Sequence, residues 1–122
     1  FQLYGHPKFS AGDIRFAPTP GPGSAAPKLK GQLCRGFDLT LMPTAAAHRP
    51  TLQLDYLINA YNDLNDQDIT FFTRPDFFDL LAGTDELRKR IIAGDSAGAI
   101  RAGWAAELAD YRVMRSRYTL YP

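Results

Sequence analysis

Seven residues near the start of the chain, Tyr4, His6, Lys8, Phe9, Lys28, Lys30 and Arg35, bring cations and aromatic rings together. A ring can stack on the apolar face of a sugar, and a guanidinium can hold a carboxylate through two parallel hydrogen bonds. The combination suits an anionic saccharide. Arg35 and His6 are the first candidates for ligand contact, Tyr4 is a candidate stacking ring, and Lys28 and Lys30 are cations on a mobile arm. The structural alternative gives the same residues other work. In it Tyr4 and Phe9 pack, Arg35 pairs with Asp38 or Asp13, and His6 fixes the turn before Pro7.

Other chemistries find little support. His6, His48 and Cys34 lack the spacing of a metal site. Cys34 lies in an expected strand, away from any helix N-terminus that would activate it, and reads as a buried, inert thiol. Gly21-Pro22-Gly23 lacks the helix and the Lys-Ser/Thr pair of a phosphate loop. A glycosidase needs two carboxylates flanking the scissile bond. Of the 13 acids only Asp13 and Asp38 precede residue 50, and capping and solvated faces account for the rest. No catalytic pair, metal or cofactor is therefore expected. The net charge of +1 gives no argument for nucleic acid, and no apolar run is long enough to span a membrane.

The elements that must position these side chains divide at His48-Arg49-Pro50. Residues 1–50 hold 13 of the 19 Gly and Pro residues, including the arm Pro18–Pro27, which can be neither helix nor inner strand. Ile14–Phe16 is a short strand candidate. Leu33–Leu41 alternates, with Leu33, Phe37, Leu39 and Leu41 on the face expected to be buried, and Met42-Pro43 ends it. From Thr51, a candidate cap, Leu54, Leu57, Ile58, Tyr61 and Leu64 form a helical stripe, which Asn62–Gln67 is expected to break. Ile69–Thr73 is β-prone. Helices are expected over Arg74–Leu81, Asp85–Ala93 and from Asp95 or Ser96 to Ser116, punctuated by Pro75, Gly83, Thr84 and Gly94. Tyr118–Tyr121 is expected to leave the last helix as an extended tail. The fold expected is α+β: one domain over residues 1–122, a small sheet from the first half covered by three or four helices from the second, with Trp104 and Phe78 central. Charge alternates along the chain, at +4 for residues 1–50, −7 for 51–87 and +4 for 88–122, so neighbouring segments can complement one another.

Several stretches together resemble a known family. They are Phe1–Phe9, Phe16–Pro20, Gly31–Asp38 with its Cys-x-Gly element, Phe78–Arg88 with Leu-Ala-Gly-x-Asp-x-Leu-Arg, Ile100 with Trp104, and the closing Tyr-x-Leu-Tyr. The chain resembles, over its whole length, the C-terminal domain of the NamZ-type exo-β-N-acetylmuramidases. The resemblance implies an auxiliary domain beside a Rossmann-like N-terminal domain that carries the catalytic carboxylate. It implies a parent glycoside hydrolase that releases N-acetylmuramic acid from the non-reducing end of peptidoglycan fragments. The expected partners are that N-terminal domain and peptidoglycan sugars. The parent is expected to be exported to the periplasm or cell surface. The abrupt start at Phe1 is read as a fragment of a longer polypeptide. A protein-interaction module with no sugar site of its own is the alternative function.

Overall fold

The computed structural model describes residues 2–41 and 52–119. Thr51, Met42-Pro43, the His48–Pro50 boundary and the end of the Tyr118–Tyr121 tail lie outside the described residues. The architecture is α+β: a three-stranded antiparallel sheet from the N-terminal part, then five helices. These group into two compact units, residues 1–71 and 72–122.

In the first unit β1 (Leu3–His6), β2 (Ile14–Phe16) and β3 (Cys34–Asp38) pair in the order β1-β3-β2, so the last strand in sequence is the middle one in space. The chain between β1 and β2 must therefore cross the middle strand in seven residues. Glycine makes that crossing and the tight pairing around it possible. Gly5 sits opposite Gly36, and a Cβ on Gly36 would collide with the Tyr4 carbonyl and lie 2.7 Å from the Gly5 Cα. Gly12, at φ +146°, would place a Cβ 2.6 Å from the Gly36 carbonyl oxygen. Only hydrogen side chains fit there.

Burial of β3 departs from the expected pattern, although Phe37, on the expected face, is half-buried against Tyr4. Cys34 and Gly36 are buried, while Leu33, outside the strand, is 61% exposed. The strand also ends earlier than expected. Asp38 Oδ1 accepts hydrogen bonds from the Thr40 amide (2.8 Å) and hydroxyl (2.6 Å), and Leu39–Leu41 turn into 3-10 conformation. Asp38 is thus a turn residue, and the ion pair with Arg35 does not form.

Helix α1 (Asp55–Asn65) runs through part of the polar stretch expected to break it. Leu64 is why: with Ala60 and Phe9 it forms a buried cluster, joined by Tyr4, Ile69 and Phe71, and that burial outweighs weak helix propensity. Ile69–Thr73 adds no strand; Ile69 and Phe71 pack on this cluster instead.

The second unit is helical: α2 (Pro75–Ala82), α3 (Glu86–Ile92), α4 (Ala97–Gly103) and α5 (Ala105–Arg115). Its punctuation follows local chemistry. Pro75 opens α2 and Gly83 closes it in the left-handed region. The Thr84 hydroxyl accepts from the Glu86 amide at 3.1 Å, and Ser96 caps α4 through the Ala99 amide at 3.2 Å. The single long helix expected after residue 95 is two, divided at Trp104. Gly103 presses against the Arg90 guanidinium with no room for a Cβ, and Arg90 also binds Asp95 at 2.6 Å. The buried residues are Leu87, Ile91, Ala97 and Ile100, whereas Trp104 and Phe78 are only half-buried. Arg88 clasps Asp79 with both arms of its fork, at 2.8 and 2.6 Å.

Candidate functional site

Register places the candidate residues. Tyr4 pairs with Phe37, His6 with Arg35, and Arg35 on its other side with Arg15. Directly opposed residues share a face, so Tyr4, His6, Arg35, Phe37 and Arg15 lie together on one side of the sheet. Three bases, His6, Arg35 and Arg15, form one rung across it. In such a rung neighbouring Cβ atoms lie about 5 Å apart, and like charges repel.

Arg35 has structural work as well as charge. Its Nε donates to the Gly12 carbonyl (3.2 Å) and one terminal nitrogen to the Ser10 carbonyl (2.5 Å), so it pins the crossing loop from below. Helix α1 pins the same loop from its own side. Asp63 accepts from the Ser10 amide at 2.8 Å, and Gln67 donates to the Lys8 carbonyl at 2.7 Å. Burial raises the affinity of Asp63 for a proton, but hydrogen bonds from Ser10, Ala11 and Gln67 outweigh it and hold the carboxyl below its ordinary value. With two donors spent, the guanidinium of Arg35 still has an unused edge.

Arg15, which the sequence did not single out, joins this rung. It is exposed, and among the described residues neither Arg15 nor Arg35 meets a carboxylate. Both line a groove of about 230 Å³ with Pro7, Phe9, Leu33 and Cys34. Leu33, expected to be buried, is exposed and lines this groove. Cys34 stays inert there, because burial pushes its thiol up, away from the reactive thiolate.

The other candidates fare unequally. Burial, then the nearby charges of Lys28 and Lys8, push the His6 pKa down, so the ring is neutral at pH 7. Its Nδ1 accepts the Lys8 amide at 3.2 Å, which leaves Nε2–H as a donor. His6 therefore brings a hydrogen bond to an anion and no charge, while also fixing the turn at Pro7. Lys28 stands near enough for its charge to bear on His6. Lys30 is exposed in the turn after Pro27 and does not line the groove. The arm is more ordered than its composition implies. Gly21 and Ser24 exchange two backbone bonds at the tip, and the Gly31 amide closes the base on the Pro18 carbonyl at 2.9 Å. Tyr4 stacks on Phe37 (5.2 Å between centroids) and meets Phe9 and Tyr56 at steep angles, so much of its ring is committed to packing. A second groove of about 260 Å³, reached by Tyr4, lies between the crossing loop and α1 and is lined in part by Asn59, Asp63 and Asp66.

No cluster of His, Cys, Asp or Glu able to hold a metal occurs among the described residues. Likewise no described helix is long and apolar enough to cross a membrane. Comparison with known proteins gives the site its context. Residues 1–121 match the family described as exo-β-N-acetylmuramidase NamZ, C-terminal. This chain belongs to the NamZ C-terminal domain family. A crystal structure of a DUF1343 family protein from Bacteroides fragilis is 39% identical, with a TM-score of 0.86 over 98% of the chain. The NamZ C-terminal chain spans about a third of that protein, 33% of its length. No curated protein matches it.

Proposed function

We propose that this chain is the non-catalytic C-terminal part of an exo-acting β-N-acetylmuramidase, and that the Arg15–Arg35 groove helps hold its muramyl ligand. The observation that carries the ligand assignment is the pair of guanidiniums opposed across β2 and β3 without a carboxylate partner among the described residues. N-acetylmuramic acid differs from N-acetylglucosamine by a lactyl ether, and so by one carboxylate. Two adjacent guanidiniums bind a carboxylate with both charge and geometry. The Nε2–H of His6 and the ammonium of Lys28 add a donor and a charge beside the groove. Catalysis belongs to the remaining part of the parent protein. That fits the absence of a catalytic carboxylate pair in the sequence reading.

The experiment is a calorimetric or NMR titration of the parent protein with N-acetylmuramic acid and with N-acetylglucosamine. A preference of about tenfold for the muramyl sugar, worth roughly 1.4 kcal/mol, that is lost in Arg15→Ala supports the reading. Equal affinity for the two sugars refutes it. So does robust hydrolysis of a chromogenic muramide by the 122 residues alone. A protein-interaction module without a sugar site is the competing reading, favoured by the exposed apolar side chains of α5. Export of the parent to the periplasm or cell surface follows from a cell-wall substrate, and cytosolic fractionation of the parent would contradict it.

A further inference from the structure

Asp63 on α1 and Arg35 on β3 form no ion pair, yet both hold Ser10 in the crossing loop. The Ser10 amide donates to the Asp63 carboxylate at 2.8 Å, and the Ser10 carbonyl accepts from Arg35 at 2.5 Å. The amide of Ala11 is the other end of the peptide group whose carbonyl Arg35 binds, and it too helps draw the Asp63 carboxyl below its ordinary value. A negative charge at the N–H end of a peptide group and a positive charge at its C=O end polarise it in the same direction, so each bond strengthens the other. Gln67 ties the arrangement to the helix, donating to the Lys8 carbonyl at 2.7 Å and to the Asp63 carbonyl at 2.8 Å. The far side of the loop has no slack, because Gly12 lies against Gly36 with no room for a Cβ.

What this leaves over on Arg35 matters. Its Nε is spent on the Gly12 carbonyl and one terminal nitrogen on Ser10, while the other terminal nitrogen has no partner among the described residues. A direct ion pair would have taken two donors of the fork and cancelled its charge. Held through a neutral peptide group, the guanidinium keeps its charge and a fixed direction beside the groove that it lines. Fixing a side chain before a ligand arrives removes the cost of ordering it on binding. We infer that Asp63 is a positioning residue for the Arg15–Arg35 groove, setting the orientation of the Arg35 guanidinium through the Ser10–Ala11 peptide. This role rests on the reading of that groove as the muramyl site.

A double-mutant cycle in the full parent protein tests it, with affinities for N-acetylmuramic acid and N-acetylglucosamine measured by calorimetry below the melting transition. Asp63→Asn keeps the size of the side chain but replaces one acceptor with an NH2 group that repels the loop amides. The expected result is about fivefold weaker binding of N-acetylmuramic acid, unchanged binding of N-acetylglucosamine, and no further loss when the change is added to Arg35→Ala. NMR of the arginine-labelled protein gives a second readout, the Arg35 Nε–H resonance being the one absent from Arg35→Lys. Its exchange with water should rise about threefold or more in Asp63→Asn. Unchanged muramyl affinity in Asp63→Asn overturns the inference, and so does a loss that persists in full on the Arg35→Ala background. Should Asp63→Asn not fold, Asp63→Glu, which moves the carboxylate by one methylene, is held to the same criteria. Equal binding of the two sugars by the native protein refutes the muramyl reading of the groove instead. Positioning is then decided by the Nε–H exchange alone, and an unchanged rate overturns it.

Discussion

Replacing Arg35 and Arg15 separately by alanine divides loop anchoring from ligand binding, because the two residues share a groove but not a set of bonds. Arg35 loses its bonds to the Ser10 and Gly12 carbonyls. A hydrogen bond from a charged donor contributes roughly 1.5–3 kcal/mol when sheltered, but exposure reduces this to about 0.5–1 kcal/mol each. The variant should therefore lose about 1–2 kcal/mol. With an unfolding entropy of about 2.1 cal/mol/K per residue, a chain of 122 residues loses roughly 4 °C of Tm per kcal/mol. Arg35→Ala should accordingly melt about 4–8 °C lower by calorimetry. Arg35→Lys should recover little of this, since an ammonium cannot reach both carbonyls with a planar fork. Arg15→Ala removes a like charge from the rung and should leave Tm within about 2 °C, or raise it slightly. Its affinity for N-acetylmuramic acid should nevertheless fall about tenfold. A Tm loss as large in Arg15→Ala as in Arg35→Ala would refute the division of roles. An unchanged melt in Arg35→Ala would refute the anchoring of the loop.

Two further outcomes are expected. Gly36→Ala should cost about 3 kcal/mol or more, because its Cβ meets backbone atoms of β1 that no rotamer change can clear, whereas Gly21→Ala, with open space around it, should be within about 1 kcal/mol of neutral; chemical denaturation of both variants checks this. Because the His6 pKa is lowered in the fold, the unfolded chain binds more protons, so stability is full above the ordinary value of 6.5 and declines as pH falls from there through the lower folded value. The Tm difference between the native chain and His6→Gln should change with pH across that window and be flat above it.

The helical half was the more legible in sequence. Pro75, Gly83, Thr84, Gly94 and Ser96 act on backbone groups one to three residues away, so their effects need no knowledge of the rest of the fold. The family motifs were legible for the same reason, being runs of residue types. Among the candidate residues, Arg35 and His6 were legible as bases near rings, and Lys28 as their neighbour. Arg15 was not, because its value lies in standing opposite Arg35, and pairing between residues 15 and 35 leaves no mark on either segment alone.

What tertiary structure decided is which surfaces meet. Alternation over Leu33–Leu41 says that two faces differ, but the strands and loop beside β3 choose the one that is buried. They chose Cys34 and Gly36 over Leu33, because only small side chains allow β1 and the crossing loop to lie so close. The same long-range pairing made β1 a strand despite a glycine at its centre and no clear alternation. It also let α1 run on through Asn62 and Asp63, where local propensity alone would have ended it, because Leu64 had a core to enter and Asp63 a loop to hold. Helix α5 marks the limit of both kinds of reading. Sequence set the spacing of Leu108, Tyr111 and Met114, and the fold leaves them exposed along with every other residue of the helix.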